Sequence, residues 1–257
     1  MKIADAFAKR KALIPFITCG DPSLDTTEEL ILALREGGAD LIELGIPFSD
    51  PTAEGPVIQE ANIRSLSVGT TTDKIFDMVR RVRPKVDIPL VFMTYANVVF
   101  SYGTERFAEA CKDIGISGVI LPDVPFEEKR EFSDVFDRFG VEMISLVTPV
   151  SEQRISMIAG EAQGFVYCVS SLGVTGTRDS ITGDIAGMVE KVKSVTNTPA
   201  AVGFGISNAE QAAQMARYAD GVIIGSAIVK IVSAYGASSP SHVRDFAEGV
   251  RKAIDNI

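Results

Sequence analysis

The chain of 257 residues reads as a (β/α)8 barrel, one domain spanning 1–257. Three observations predict it. Eight short, β-branched apolar runs occur; segments of helical periodicity separate them; and the length matches the roughly 250 residues such barrels need. An open doubly wound sheet would usually show about five to seven strands and a glycine-rich first turn.

The first run, 13–18, is continuously apolar, as a strand is when helices cover one face and a core fills the other. Leu30, Ile31 and Leu34 then mark a helix over 26–35 that stops at Gly37. The second run, 39–46, alternates Ala39, Leu41 and Glu43 on one face with Asp40 and Ile42 on the other. A Pro- and Gly-punctuated loop over 47–55 follows, then a helix over 74–82 carrying Ile75, Met78, Val79 and Val82. The third run is 90–95. Thr104 is offered as the N-cap of the next helix, which ends at Gly115, and the fourth run is 118–121. A helix ending at Gly140 leads to the fifth run, 141–147, and Ser151 caps a helix marked by Ile155, Ile158 and Ala159. After the sixth run, 164–169, the stretch 171–183 holds Gly173, Gly176, Gly183 and several hydroxyl residues, the composition of an active-site lid. The seventh run, 200–204, is followed by Ser207 or Asn208 as a cap, and the eighth, 221–224, by a helical run opened by Gly225, Ser226 and Ala227.

Composition narrows the function. Lys plus Arg number 25 against 34 Asp plus Glu, a net charge of −9, which excludes a polybasic nucleic-acid or lipid surface. No run of about 18 apolar residues suggests a membrane span, and no secretion signal opens the chain, so a cytoplasmic protein is expected. Cys19, Cys111 and Cys168 are odd in number and widely spaced, fitting buried thiols rather than a disulfide framework or a zinc site. His242 is the sole histidine and lies beyond the last strand, so a Ser/His/Asp or Cys/His nucleophile is not expected, nor is a metal centre.

In barrels of this class the working residues stand at the carboxyl ends of strands. Glu43 is a carboxylate within an otherwise apolar strand; it is either salt-bridged or an acid–base group whose pKa burial has raised. Asp50 and Glu54 follow in the fixed loop, as solvated charges or as partners of Glu43. Glycines after strand seven (Gly203, Gly205) and strand eight (Gly225), with Ser226 behind, stand where barrels bind phosphate at a helix N-terminus; tight turns alone would also use them. Tyr167 either presents its phenol to the same cavity or packs. Proton transfer by carboxylates on a phosphorylated substrate is the chemistry these residues allow.

The run ELGIPFSDPTAEGPVIQ over 43–59 resembles the signature of the tryptophan synthase alpha chain family. PFITCGDP from Pro15, MTYAN from Met93, DVP from Asp123, GVTG from Gly173, GFGI from Gly203 and GSAIVK from Gly225 occur in the family's order. The resemblance implies a barrel lyase that splits indole-3-glycerol phosphate into indole and glyceraldehyde 3-phosphate. It implies no cofactor in this chain, and a beta-chain partner, in an alpha2beta2 complex, that uses pyridoxal phosphate to join indole to serine. On matching positions Glu43 is the acid–base residue, Glu54 the carboxylate that accepts the indole N–H, and Tyr167 the tyrosine near the substrate hydroxyls. Gly176, Gly205, Gly225 and Ser226 form the phosphate cradle, with Gly203 beside it. Phe16, Ile58, Met93 and Phe204 line the indole pocket, or serve as plain core, and Thr175 of the lid touches the strand-two loop. Asp50, Pro51 and Asn97 fall at the expected partner interface.

One departure stands out: the family usually has aspartate where Glu54 stands. Either the loop retracts to accommodate the longer side chain, with Asp50 as the fallback acid, or the chain is a weakly active regulatory partner of the beta chain. Another phosphate-binding barrel, an isomerase or decarboxylase, explains the carboxylate loop poorly.

Overall fold

An isolated run of four to eight residues of this kind leaves its backbone polar groups unpaired, so each of these runs requires a parallel neighbour on either side. The computed structural model, which describes residues 1–149, 151–169, 178–203 and 205–257 and leaves aside the side chains of 178–184, supplies them. The elements run β1 (Ala12–Thr18), α1 (Leu24–Glu36), β2 (Ile42–Gly45), α2 (Pro56–Ser67), α3 (Thr72–Val82), β3 (Leu90–Met93), α4 (Ala96–Tyr102) and α5 (Thr104–Asp113). They continue with β4 (Gly118–Ile120), α6 (Arg130–Phe139), β5 (Glu142–Val147), α7 (Glu152–Gly160), β6 (Val166–Val169), α8 (Arg178–Val195) and β7 (Ala200–Gly203). Last come α9 (Ala209–Ala216), β8 (Gly221–Ile224), α10 (Ser226–Tyr235) and α11 (Ser239–Asp255). The strands close in chain order β1 to β8, every neighbour parallel, so the (β/α)8 reading holds.

Strand period two sorts side chains into two cores. Ala12, Ile14, Leu41, Val91, Ile120, Ile144, Phe165, Ala201 and Ile223 fill the barrel, and Ile3 and Ala6 of a 3-10 turn plug its amino end. The alternate residues Leu13, Ile42, Leu44, Phe92, Val119 and Val222 face outward onto Leu30, Val79, Phe107 and Val189 of the helices. Burial on both faces is why the strands carry no polar alternation. Arg251 of α11 donates to Asp40 (3.0 Å) and to the Lys11 carbonyl (2.9 Å), tying the last helix to the first two strands.

Several boundaries differ from the sequence reading. The second strand is regular only over Ile42–Gly45. Thr104 is not a cap; α5 begins on it, with Gly103 (φ 91°) as the capping residue. Ser151 and Asn208 do cap, accepting from the amides of Arg154 (3.4 Å) and Gln211 (2.9 Å). The stretch 171–183 is not all loop, because α8 begins at Arg178; Ile185, Met188, Val189 and Val192 set a helical stripe that its glycines do not break. Its earlier part, 171–177, lies outside the described residues. Helices α2 and α4 went unread because each buries few apolar side chains, α4 only Val99.

All three cysteines are buried and unpaired, and burial pushes their thiols up. Among the described residues no helix is long and apolar enough to cross a membrane, and no three metal-ligating side chains gather.

Candidate active site

Because Leu41 faces the barrel interior, strand alternation brings Glu43 inward too, paired in register with Phe16 of β1 and Val91 of β3. Its side chain is fully buried, and neither carboxyl oxygen has a hydrogen-bond partner among the described residues. No Lys or Arg among them pairs with it. Burial alone pushes its pKa up to about 8. A carboxyl group in that state keeps its proton at neutral pH and gives it up at little cost.

Glu54 lies in the loop between β2 and α2, half-buried at the mouth of the same cavity. Asn62 Nδ2, two turns into α2, donates to its Oε2 at 2.7 Å, and the Tyr95 hydroxyl is a second partner. Gln59 Nε2 holds the Glu54 carbonyl at 2.7 Å, and the Ala53 amide donates to Tyr95 Oη at 3.2 Å. Burial raises the Glu54 pKa, and the bonds from Asn62 and Tyr95 work against that rise. Tyr95 itself is pushed up to about 12, chiefly by burial, so its phenol keeps its proton. Asp50, the fallback acid, is exposed, accepts from the Ser49 hydroxyl and does not line the cavity.

Tyr167 of β6 is buried and lines the cavity, its phenol held above the ordinary range by burial and then by the charge of Glu43. The ring also packs in the barrel core, so the two alternatives offered by the sequence meet in one side chain. At Gly203 a Cβ would stand 2.6 Å from Tyr167 Oη, so this glycine makes room for the phenol at the cavity wall.

Phe16, Ile58 and Met93 are brought together with Glu43, Glu54, Tyr167, Gly205, Gly225 and Ser226 around a cavity of about 640 Å³. Phe16 and Ile58 pack with Ala61 and Val229 as a small apolar cluster. A second lobe of about 290 Å³ shares Ala53, Met93 and Tyr167 and continues along Leu121, Ile144, Leu146 and Val169. An apolar chamber with a few convergent polar groups suits a flat aromatic ligand.

The opposite end is polar. Gly225 caps α10 without a side-chain acceptor, so the first amides of that helix are not capped by a side chain, and Gly205 (φ 77°) stands across from them. Such amides, with the helix dipole, favour an anion. Thr175, Gly176 and Phe204 lie outside the described residues.

Asp50 and Asn97 are exposed and Pro51 half-exposed on the rim at the carboxyl end of the strands. The Tyr95–Ala53 bond and a Phe48–Tyr95 ring contact (5.3 Å) join their two loops. Sequence reasoning missed Asn62, Tyr95, Leu121, Leu146 and Lys230 as site residues. Tyr95 and Lys230 stood within quoted motifs, whereas nothing in the spacing links a loop acid to an amide eight residues on.

The comparisons agree with this geometry. A family model described as tryptophan synthase alpha chain matches residues 3–256. The chain is 45% identical over 254 residues to the tryptophan synthase alpha chain of Lacticaseibacillus casei, covering 99% of this chain and 96% of that one. The crystal structure of tryptophan synthase subunit alpha from Legionella pneumophila superposes with a TM-score of 0.90 at 38% identity, covering 100% of both chains. A chain of the tryptophan synthase complex from Pyrococcus furiosus gives 0.86 at 32% identity, over 95% of this chain and 99% of that one.

Proposed function

Because this chain belongs to the tryptophan synthase alpha chain family, whose members cleave indole-3-glycerol phosphate to indole and glyceraldehyde 3-phosphate, we propose that Glu43, Glu54 and Tyr167 carry that cleavage here. The observation that supports this most is the fully buried, unpartnered carboxyl of Glu43 at the head of an apolar cavity. In this reading Glu43 gives its proton to indole C3, and positive charge develops at the ring nitrogen. Glu54 accepts the indole N–H and stabilises that charge, held on the cavity side by Asn62 and Tyr95. The Glu43 carboxylate then takes the proton of the adjacent glycerol hydroxyl. The carbon–carbon bond breaks, its electrons restore the ring, and the aldehyde leaves with Glu43 protonated again. Tyr167 donates to the glycerol oxygens.

Met93, Phe16 and the second lobe receive the ring, while Gly205, Gly225 and Ser226 hold the phosphate at the N-terminus of α10. The family carries no cofactor in this chain; the beta chain holds pyridoxal phosphate and completes the alpha2beta2 complex. Docking of that partner on the rim around Asp50, Pro51 and Asn97 fits their exposure and nearness to the cavity mouth. Free buried thiols support a cytoplasmic location.

The test is steady-state release of indole from indole-3-glycerol phosphate, by this chain alone and with an added beta chain. Turnover that rises with the partner is the expected outcome. A chain that binds the beta chain yet stays inactive would instead be a regulatory partner, and the catalytic roles would fall. A finer check concerns Asn62. Its bond lowers the Glu54 pKa, so Asn62→Ala moves that pKa further up. The acid limb of kcat then shifts to higher pH, and kcat at neutral pH falls roughly tenfold. An unshifted acid limb would remove Asn62 from the mechanism.

A further inference from the structure

A phosphate monoester carries between about −1.5 and −2 at neutral pH. It must approach a chain of net charge −9 and enter a cavity whose walls already hold the acid Glu54 beside the protonated Glu43. Neutral amides favour an anion once it is seated, but their field falls off within a turn of helix and draws little from solution. A full positive charge at the mouth acts at longer range.

Among the described residues lining the 640 Å³ chamber, Lys230 is the sole cation; the second lobe carries Lys129 and Arg154, each already held by a partner. It stands on α10 four residues after Ser226, on the same face as the open first turn of that helix. It is exposed and has no ion-pair or hydrogen-bond partner among the described residues. Three lysines elsewhere differ. Lys85 is held by Glu28, Lys129 by Ser145 and the Glu161 carbonyl, and Lys193 by Asp220. An unpaired ammonium on a flexible stem, one turn from the anion-binding amides, can close on a phosphate without first breaking an ion pair.

We infer that Lys230 is the substrate-capturing cation of this site: its ammonium draws the phosphate dianion to the mouth and then pairs with a phosphate oxygen. The inference rests on the reading of Gly205, Gly225 and Ser226 as the phosphate cradle. It makes Lys230 a determinant of specificity for phosphorylated over unphosphorylated substrate and the origin of the ionic-strength dependence of capture.

The experiment uses the full chain with its beta partner and compares wild type, Lys230→Met, Lys230→Arg and Ser226→Ala. It measures kcat and KM for indole-3-glycerol phosphate at low and high ionic strength, and inhibition by inorganic phosphate. Lys230→Met is expected to raise KM about tenfold, more than it lowers kcat, and to weaken phosphate inhibition by a similar factor. It also flattens the salt dependence of kcat/KM, and Lys230→Arg restores most of both. A merely structural lysine would move neither the salt dependence nor phosphate inhibition. Wild-type KM and salt dependence in Lys230→Met, with Ser226→Ala still weakening phosphate binding, would overturn the capture role and leave the cradle standing. Phosphate inhibition unchanged in both variants would overturn the cradle reading and this inference together.

Discussion

Glu43→Gln reduces indole release by on the order of a thousandfold or more while leaving the barrel intact. Gln keeps the size and shape of the side chain but neither gives nor takes a proton, and general acid–base catalysis of this kind contributes about 10² to 10⁴ in rate. Among the described residues no second acid is in place to take over, since Asp50 is exposed and Glu54 is committed to Asn62 and Tyr95. Circular dichroism with steady-state kinetics checks it; a variant retaining a tenth of wild-type kcat would sink the assignment. The same buried carboxyl sets the pH profile. Because the acid form begins the reaction, wild-type kcat/KM holds from the acid limb set by Glu54 up to about pH 8 and declines above it as one proton is lost.

The stability of the fold carries a matching signature. The folded-state pKa of about 8 lies above the ordinary 4.5, so the folded chain binds a proton that the unfolded chain has released between those values. The neutral form's advantage is fully present below pH 4.5 and is lost as pH rises through 8. Glu43→Gln has no such titration. The stability of the variant relative to wild type therefore climbs by about 1.4 kcal/mol per pH unit across this window and levels off above it. Urea unfolding of both proteins from pH 5 to 9 measures the gap, and a gap independent of pH would refute the burial argument.

The second large effect is at Glu54. Glu54→Ala removes the group that stabilises charge on the indole nitrogen and is expected to lower kcat by about 10² to 10³, with KM changed little. Glu54→Asp distinguishes the two readings of the family departure. The longer side chain here is tethered by Asn62 Nδ2 at 2.7 Å and by the Tyr95 hydroxyl, while Gln59 holds its carbonyl at 2.7 Å. Shortening it by one methylene withdraws the carboxylate by about 1 Å from those donors, and a displacement of that size costs on the order of 100-fold in rate. Glu54→Asp should then fall 10- to 100-fold below wild type. If it equals or exceeds wild type, the loop has not adapted to glutamate, and the weakly active reading gains ground.

The sequence by itself determined the barrel, because eight continuously apolar runs and the helices between them leave no other common way to bury both faces of each strand. It also determined the carboxylate loop and the glycine turns, since their order along the chain carries the family likeness. What it left open were questions of direction and neighbourhood. Strand alternation allowed Glu43 either face; closure of the barrel around Leu41 and Phe165 turned it inward, away from every cation among the described residues. Gly203 read as a glycine beside the phosphate cradle; that it also admits the Tyr167 ring, from a residue 36 positions away, is visible only in the structure. Asn62 and Tyr95 reach Glu54 from a helix and from the turn after the next strand, distances no local pattern encodes. Periodicity reports which faces are buried, because hydrophobic burial is written residue by residue along the chain. Which side chains meet inside is decided by packing across elements, and only the tertiary structure holds that information.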